Sequence, residues 1–240
     1  MDNPTLSVIM SKREKILGLI YLPCYLFLFS WLLQYIAGTY YPTLGNRELN
    51  LIYYLLCGSC TVLAFRDFLL DNFRTLRGKM KLLLKELLGG MVRYYIVTIA
   101  LGIGVTILEH LTGESFVNRN DMSILNLFGD SLWLLAPIAL VLAPLVEESL
   151  FRGLIFGNLR RRSRLLAYGV TVICFSGIHV IGYLSTMSPL GIVVSLLQYV
   201  PATIFLCRIY ERTDSLFGAM ALHSLLNLIS LLITHLLYGG

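Results

Sequence analysis

Charge is scarce in this chain. Only 14% of its 240 residues are Asp, Glu, Lys or Arg, where a soluble domain of this length carries about 25%. Apolar residues make up 57%, and mean hydropathy is +0.75. Apolar runs repeatedly exceed the ~18 residues needed to cross a hydrocarbon core, which excludes the soluble classes. Internal repeats, low-complexity tracts and long polar linkers are missing, so residues 1–240 read as one membrane domain. The lack of inverted repeats and paired broken helices also argues against a transporter. H-E-x-x-H, the helical zinc-protease motif, is absent. The five cysteines (Cys24, Cys57, Cys60, Cys174, Cys207) all lie in apolar runs, where cysteine behaves as a small hydrophobe, and imply no disulfide framework.

What is there reads as an all-α, polytopic integral membrane protein. Apolar stretches near 16–37, 49–65, 87–108, 131–157, 165–184, 189–209 and 215–238 predict seven transmembrane helices. A short or re-entrant segment within 115–130 would make eight. Basic residues alternate between connections. Lys12, Arg13 and Lys15 precede the first run, and Arg66, Arg74, Arg77, Lys79, Lys81 and Lys85 follow the second. Arg160, Arg161, Arg162 and Arg164 follow the fourth, and Arg208 and Arg212 the sixth; the other connections hold only Arg47 and Arg119. By the positive-inside rule the N-terminus is cytoplasmic and the C-terminus outside. These faces account for the net charge of +5 without nucleic acid. Between the second and third runs, Phe65, Leu69, Phe73, Leu76, Met80, Leu83 and Leu87 recur at helical spacing among basic residues, the pattern of an amphipathic helix on an anionic leaflet.

Ionisable groups at membrane depth cost several kcal/mol unless paired or hydrated, so each is a candidate functional residue. The fourth run carries Glu147, Glu148 and Arg152 in Leu145-Val146-Glu147-Glu148-Ser149-Leu150-Phe151-Arg152. Glu148 and Arg152 are i,i+4 neighbours in the favourable order. Glu147 points ~100° away and is left for another helix. Pro144 removes a backbone donor and predicts a kink. The fifth run holds Phe175 and His179, and the seventh holds His223 and Asn227 on one helix face. His235 reads as a hydrogen-bonded core residue, and Arg93 as able to snorkel to the interface. Acid, imidazole and amide groups on three separate runs are components for activating water and stabilising an oxyanion.

E-E-x-x-x-R, F-x-x-x-H and H-x-x-x-N in this order, at 147–152, 175–179 and 223–227, resemble the CAAX-protease and bacteriocin-processing (Abi) family of intramembrane proteases. The resemblance covers residues 131–238 as a catalytic core; residues 1–130 match only as apolar helices. It implies an intramembrane chamber in which Glu147 and His179 hold and activate water. His223 and Asn227 would stabilise the oxyanion, and Glu148 and Arg152 would shape the site. It is compatible with a metal-free glutamate protease, the expectation adopted, or with a zinc held by Glu147, His179 and His223. The span boundaries place His179 nearer the outer face than Glu147 by roughly 10–15 Å at ~1.5 Å per residue.

The expected substrate is a membrane-associated peptide or protein. Short connections and the lack of an organellar targeting segment point to a bacterial cell membrane, where prenylated substrates are unexpected. The alternative is a non-catalytic interaction protein, either a bacteriocin self-immunity factor or a modulator of a sensor kinase.

Overall fold

A computed structural model of the chain describes residues 6–128 and 136–238. All regular structure among them is helical. The elements are α1 (Lys12–Tyr40), α2 (Asn46–Ala64), α3 (Arg66–Leu76), α4 (Met80–Thr112) and α5 (Arg119–Phe128). They continue with α6 (138–160), α7 (Arg164–Thr186), α8 (Pro189–Thr213) and α9 (Leu216–Tyr238).

Helices α1, α4, α7, α8 and the Leu216–Ile233 part of α9 are long and apolar enough to cross a membrane, and α2 with α3 would form a sixth span bent by 82°. The multi-pass helical class thus stands. The fourth expected run corresponds to α6, which carries Glu147, Glu148 and Arg152 and is not among the five; its expected start, 131–135, lies outside the described residues. The segment suspected within 115–130 is a helix, α5, of ten residues. At ~1.5 Å per residue that is half a crossing.

The basic residues gather at one end of the bundle. Ser11 and Glu14 form a capping box at the start of α1, and the second Glu14 oxygen accepts the Phe68 N–H at 2.8 Å, satisfying a first-turn donor of α3. Asn72 of α3 accepts the Leu216 N–H at 2.8 Å, fixing the start of α9. Arg160 and Arg164 both pair with Glu211, and Lys79 with Asp214. Helix α3 buries Phe68, Leu69, Asn72 and Leu76, so the face expected to lie on lipid packs largely on protein. A helical repeat of apolar residues marks a buried face without saying what buries it. Arg93 curls back along α4, donating to the Gly89 carbonyl at 2.8 Å and pairing with Glu86 at 3.7 Å.

At the opposite end, α5 spans a gap between helices. Its start is tied to α8 by the Tyr199 hydroxyl donating to Asn118 Oδ1 at 3.0 Å. Its end is tied to α2 by Arg47 Nε donating to the Leu127 carbonyl at 2.6 Å.

Candidate active site

Pro144 governs the shape of α6. The helix is π-wound over Ile138–Leu142 and Glu148–Phe156, with one α-turn, Ala143–Glu147, between. In the first π segment the Ala143 N–H bonds to the Ile138 carbonyl, one residue beyond the α register. The next donor in that register would be Pro144, which has no N–H. The carbonyls of Ala139 and Leu140, five and four residues before the proline, are therefore open to other donors. Helix α9 supplies them: Asn227 Nδ2 donates to Ala139 and Ser224 Oγ to Leu140, each at 2.7 Å. Two polar side chains three residues apart on α9 thus seat that helix on the irregular turn that precedes Glu147.

The junction between the α-turn ending at Glu147 and the π segment beginning at Glu148 buries both carboxylates against α9. Glu148 is fully buried, and its Oε1 accepts from Arg152 at 3.0 Å and from His223 Nδ1 at 2.7 Å. The expected i,i+4 pair is present; its extension to His223 was not expected. Arg152, also fully buried, lies 4.1 Å from the Phe175 ring centroid, so its remaining face meets an aromatic quadrupole. Glu147 points elsewhere, as helix geometry required. Its Oε2 stands 4.0 Å from His223 Nε2, and its Oε1 accepts from the Tyr25 hydroxyl at 3.4 Å.

His179 reaches the same space from α7. Its Nδ1 lies 2.8 Å from the Phe175 carbonyl. A carbonyl can only accept, so Nδ1 carries the proton and the neutral ring keeps its lone pair on Nε2. Tyr199 stacks on the imidazole, centroids 4.4 Å apart. The expected height difference from Glu147 is absent. Helices α6 and α7 run antiparallel about Ser163, whose Oγ caps α7. Glu147 and His179 stand equally far, in residues, on either side of it. Phe151 and Phe175, 5.3 Å apart, mark the shared level one turn nearer Ser163. Depth along both helices is set by their common turn at Ser163, which boundaries drawn run by run do not encode.

Glu147, His179, His223 and Asn227 line one cavity of about 770 Å³. Glu148 and Arg152 stand behind it and act on it through His223. Tyr25, Tyr54, Asn118, Asp121 and Tyr199 also line it. None of these was singled out from sequence, because a tyrosine in an apolar run and a polar residue in a connection carry no pattern of their own. Tyr25 is held by Tyr53, which donates to its carbonyl at 2.6 Å and stacks on its ring. The His235 side chain lies outside the described residues.

Among the described residues, no group of three His, Cys, Asp or Glu side chains is gathered closely enough to hold a metal ion. The set Glu147, His179 and His223 shares a cavity without that convergence. All five cysteines are free.

Residues 129–229 match the family described as Type II CAAX prenyl endopeptidase, Rce1-like. The stretch runs from just before α6 into α9 and contains all seven residues that the three motifs specify. No curated protein and no solved structure matches the chain.

Proposed function

From the match of residues 129–229 to the Rce1-like CAAX prenyl endopeptidase family, we propose that the chain is an intramembrane endopeptidase acting on a membrane-associated peptide or protein. One observation carries the reading. Side chains from three helices, Glu147, His179 and His223, meet in a single cavity, backed by a buried chain from Arg152 through Glu148 to His223.

The roles follow from charge and hydrogen-bond direction. Buried charges persist when paired. With His223 as imidazolium, Glu147, Glu148, Arg152 and His223 sum to zero. Nδ1–H then faces Glu148 and Nε2–H faces the cavity beside Glu147. Water held between Glu147 and the His179 Nε2 lone pair attacks the scissile carbonyl carbon and gives a proton to Glu147. The carbonyl oxygen becomes an oxyanion, met by His223 Nε2–H and by the Asn227 amide proton not engaged with Ala139. Collapse breaks the C–N bond, the leaving amine takes the proton from Glu147, and the new carboxylic acid passes its remaining proton to that amine, so a carboxylate and an ammonium depart. No step calls for a metal.

The same reading places the basic end of the bundle on the cytoplasmic side and the protein in a bacterial cell membrane. Digestion of an apolar peptide library by purified protein in nanodiscs tests the function. Paired new termini should form by mass spectrometry with the wild-type chain and not with Glu147→Gln. An intact library with both proteins would count against hydrolysis.

A further inference from the structure

His179 is fixed at one point, by its bond to the Phe175 carbonyl. A single hydrogen bond tolerates tilting, and the Nε2 lone pair lies in the ring plane, so a tilted imidazole aims that lone pair elsewhere. The plane is set by the neighbouring rings. Phe175, on the same helix, lies 4.7 Å away at an angle of 48°. Tyr199 of α8 lies 4.4 Å away at 28°, closer and more nearly parallel. A tyrosine can hold a plane only if it is itself held. The Tyr199 hydroxyl, at the far end of its ring, donates to Asn118 Oδ1 at 3.0 Å.

That oxygen serves two donors, one for each lone pair. It also accepts the Asp121 N–H at 3.2 Å, while the Asn118 carbonyl accepts the Met122 N–H at 3.1 Å. Asn118 is therefore the N-cap of α5. The acceptor that Tyr199 uses is in place only while the first turn of α5 is wound and seated. Helix α5 has ten residues, fewer than the roughly 12–15 that an isolated helix needs, so its seating depends on its ties. Its far end is tied by Arg47 to the Leu127 carbonyl. Between the two ties, Ser123, Ile124 and Leu127 line the cavity that Glu147, His179 and His223 share. One continuous set of contacts thus joins the helix that closes the cavity to the imidazole at its centre.

Resting on the hydrolytic reading, we infer that Tyr199 is a positioning residue for His179, and that it keeps the imidazole aligned only while α5 is seated across the cavity. Closure of α5 over a bound peptide and alignment of the group that holds the attacking water are then one event. With α5 displaced, the Tyr199 ring loses its anchor and His179 loses the surface that sets its plane. A reacting group about 1 Å out of place costs up to roughly 10²-fold in rate, so the coupling acts on turnover.

Two variants cut the link at different atoms. Tyr199→Phe keeps the stacked ring and removes its anchor. Asn118→Ser keeps a capping oxygen for α5 but is too short to reach the Tyr199 hydroxyl. In nanodiscs each should lower kcat roughly five- to twentyfold with KM within about twofold. The double variant should be no worse than either, because both break the same link. Asn118→Asp keeps the acceptor and should stay within about threefold of wild type. A second readout does not depend on turnover. In the Glu147→Gln protein, carbethoxylation of His179 by diethyl pyrocarbonate is followed by mass spectrometry and normalised to the exposed His110. Its rate should rise at least about threefold with Tyr199→Phe and with Asn118→Ser, as a loosened segment opens more often. Losses in kcat that multiply, a loss confined to KM, or unchanged His179 reactivity in both variants overturns the inference and leaves hydrolysis standing. Raised His179 reactivity in a chain whose wild type digests no library peptide would instead remove the protease reading and, with it, the role assigned to Tyr199.

Discussion

His223 Nδ1 and Glu148 Oε1 meet at 2.7 Å, and the same carboxylate oxygen holds Arg152 at 3.0 Å. Glu148 therefore serves stability and chemistry together. Glu148→Gln leaves Arg152 buried without its counter-charge, a loss of about 3–5 kcal/mol, and also removes the group that orients His223. Both the detergent melting temperature and single-turnover cleavage should fall. Adding Arg152→Gln should restore part of the melting temperature and none of the activity. Recovery of both would reduce Glu148 to a charge partner.

Glu147→Gln separates differently. The amide keeps the size and an acceptor for Tyr25 but cannot take a proton from water. The melting temperature should stay within a degree or two while turnover falls by about 10²–10⁴-fold, the usual range for loss of a general base. Arg152→Gln should not rescue it. A stable, active Glu147→Gln would transfer the base role to His179.

His179→Ala and His223→Ala should each abolish cleavage without preventing membrane insertion, and the double variant should be little worse, because groups acting together are strongly non-additive. If the double variant inserts normally and still complements a deletion strain, the chain works by interaction, as a self-immunity or sensor-kinase partner would.

Ser224 and Asn227 supply the Pro144-opened carbonyls, and this gives a thermodynamic cycle. Ser224→Ala should cost about 0.6–1.7 kcal/mol, the scale of interhelical hydrogen bonds in membranes. In a Pro144→Ala background the restored N–H can serve the Leu140 carbonyl, so the cost should shrink. Asn227→Ala should lower both stability and turnover, the latter by about 10²–10³-fold. Additive losses for Ser224→Ala and Pro144→Ala would refute the coupling.

Metal dependence has a direct measurement. Protein stripped with a strong chelator should retain its activity, and elemental analysis should show well under one zinc per chain. Activity lost on stripping and regained with zinc would reverse the metal-free assignment.

How much of this was legible in the sequence depended on whether the signal was local. Helical class, the Glu148–Arg152 pair and the divergence of Glu147 follow from residue spacing, and the structure places them so. The gathering of Glu147, His179 and His223 in one cavity needed tertiary packing, which spacing along a single helix does not encode. Pro144 announced a kink, but not that Ser224 and Asn227, some eighty residues later, would bond the carbonyls it opens. Asp121 carried no signal at all. An aspartate two residues after an arginine in a polar connection looks like any solvated turn until α5 is seen lying across the cavity.

Tyr25 reaches Glu147 from a helix 122 residues upstream, and Tyr54 of α2 lines the same space. The segment that carries all three motifs is therefore not a portable module. Grafted behind unrelated N-terminal helices, it would keep its acids and histidines but lose a wall of its reaction vessel. Relatives whose first two helices differ at these positions should accordingly differ in which substrates they admit, even where the motifs are identical letter for letter.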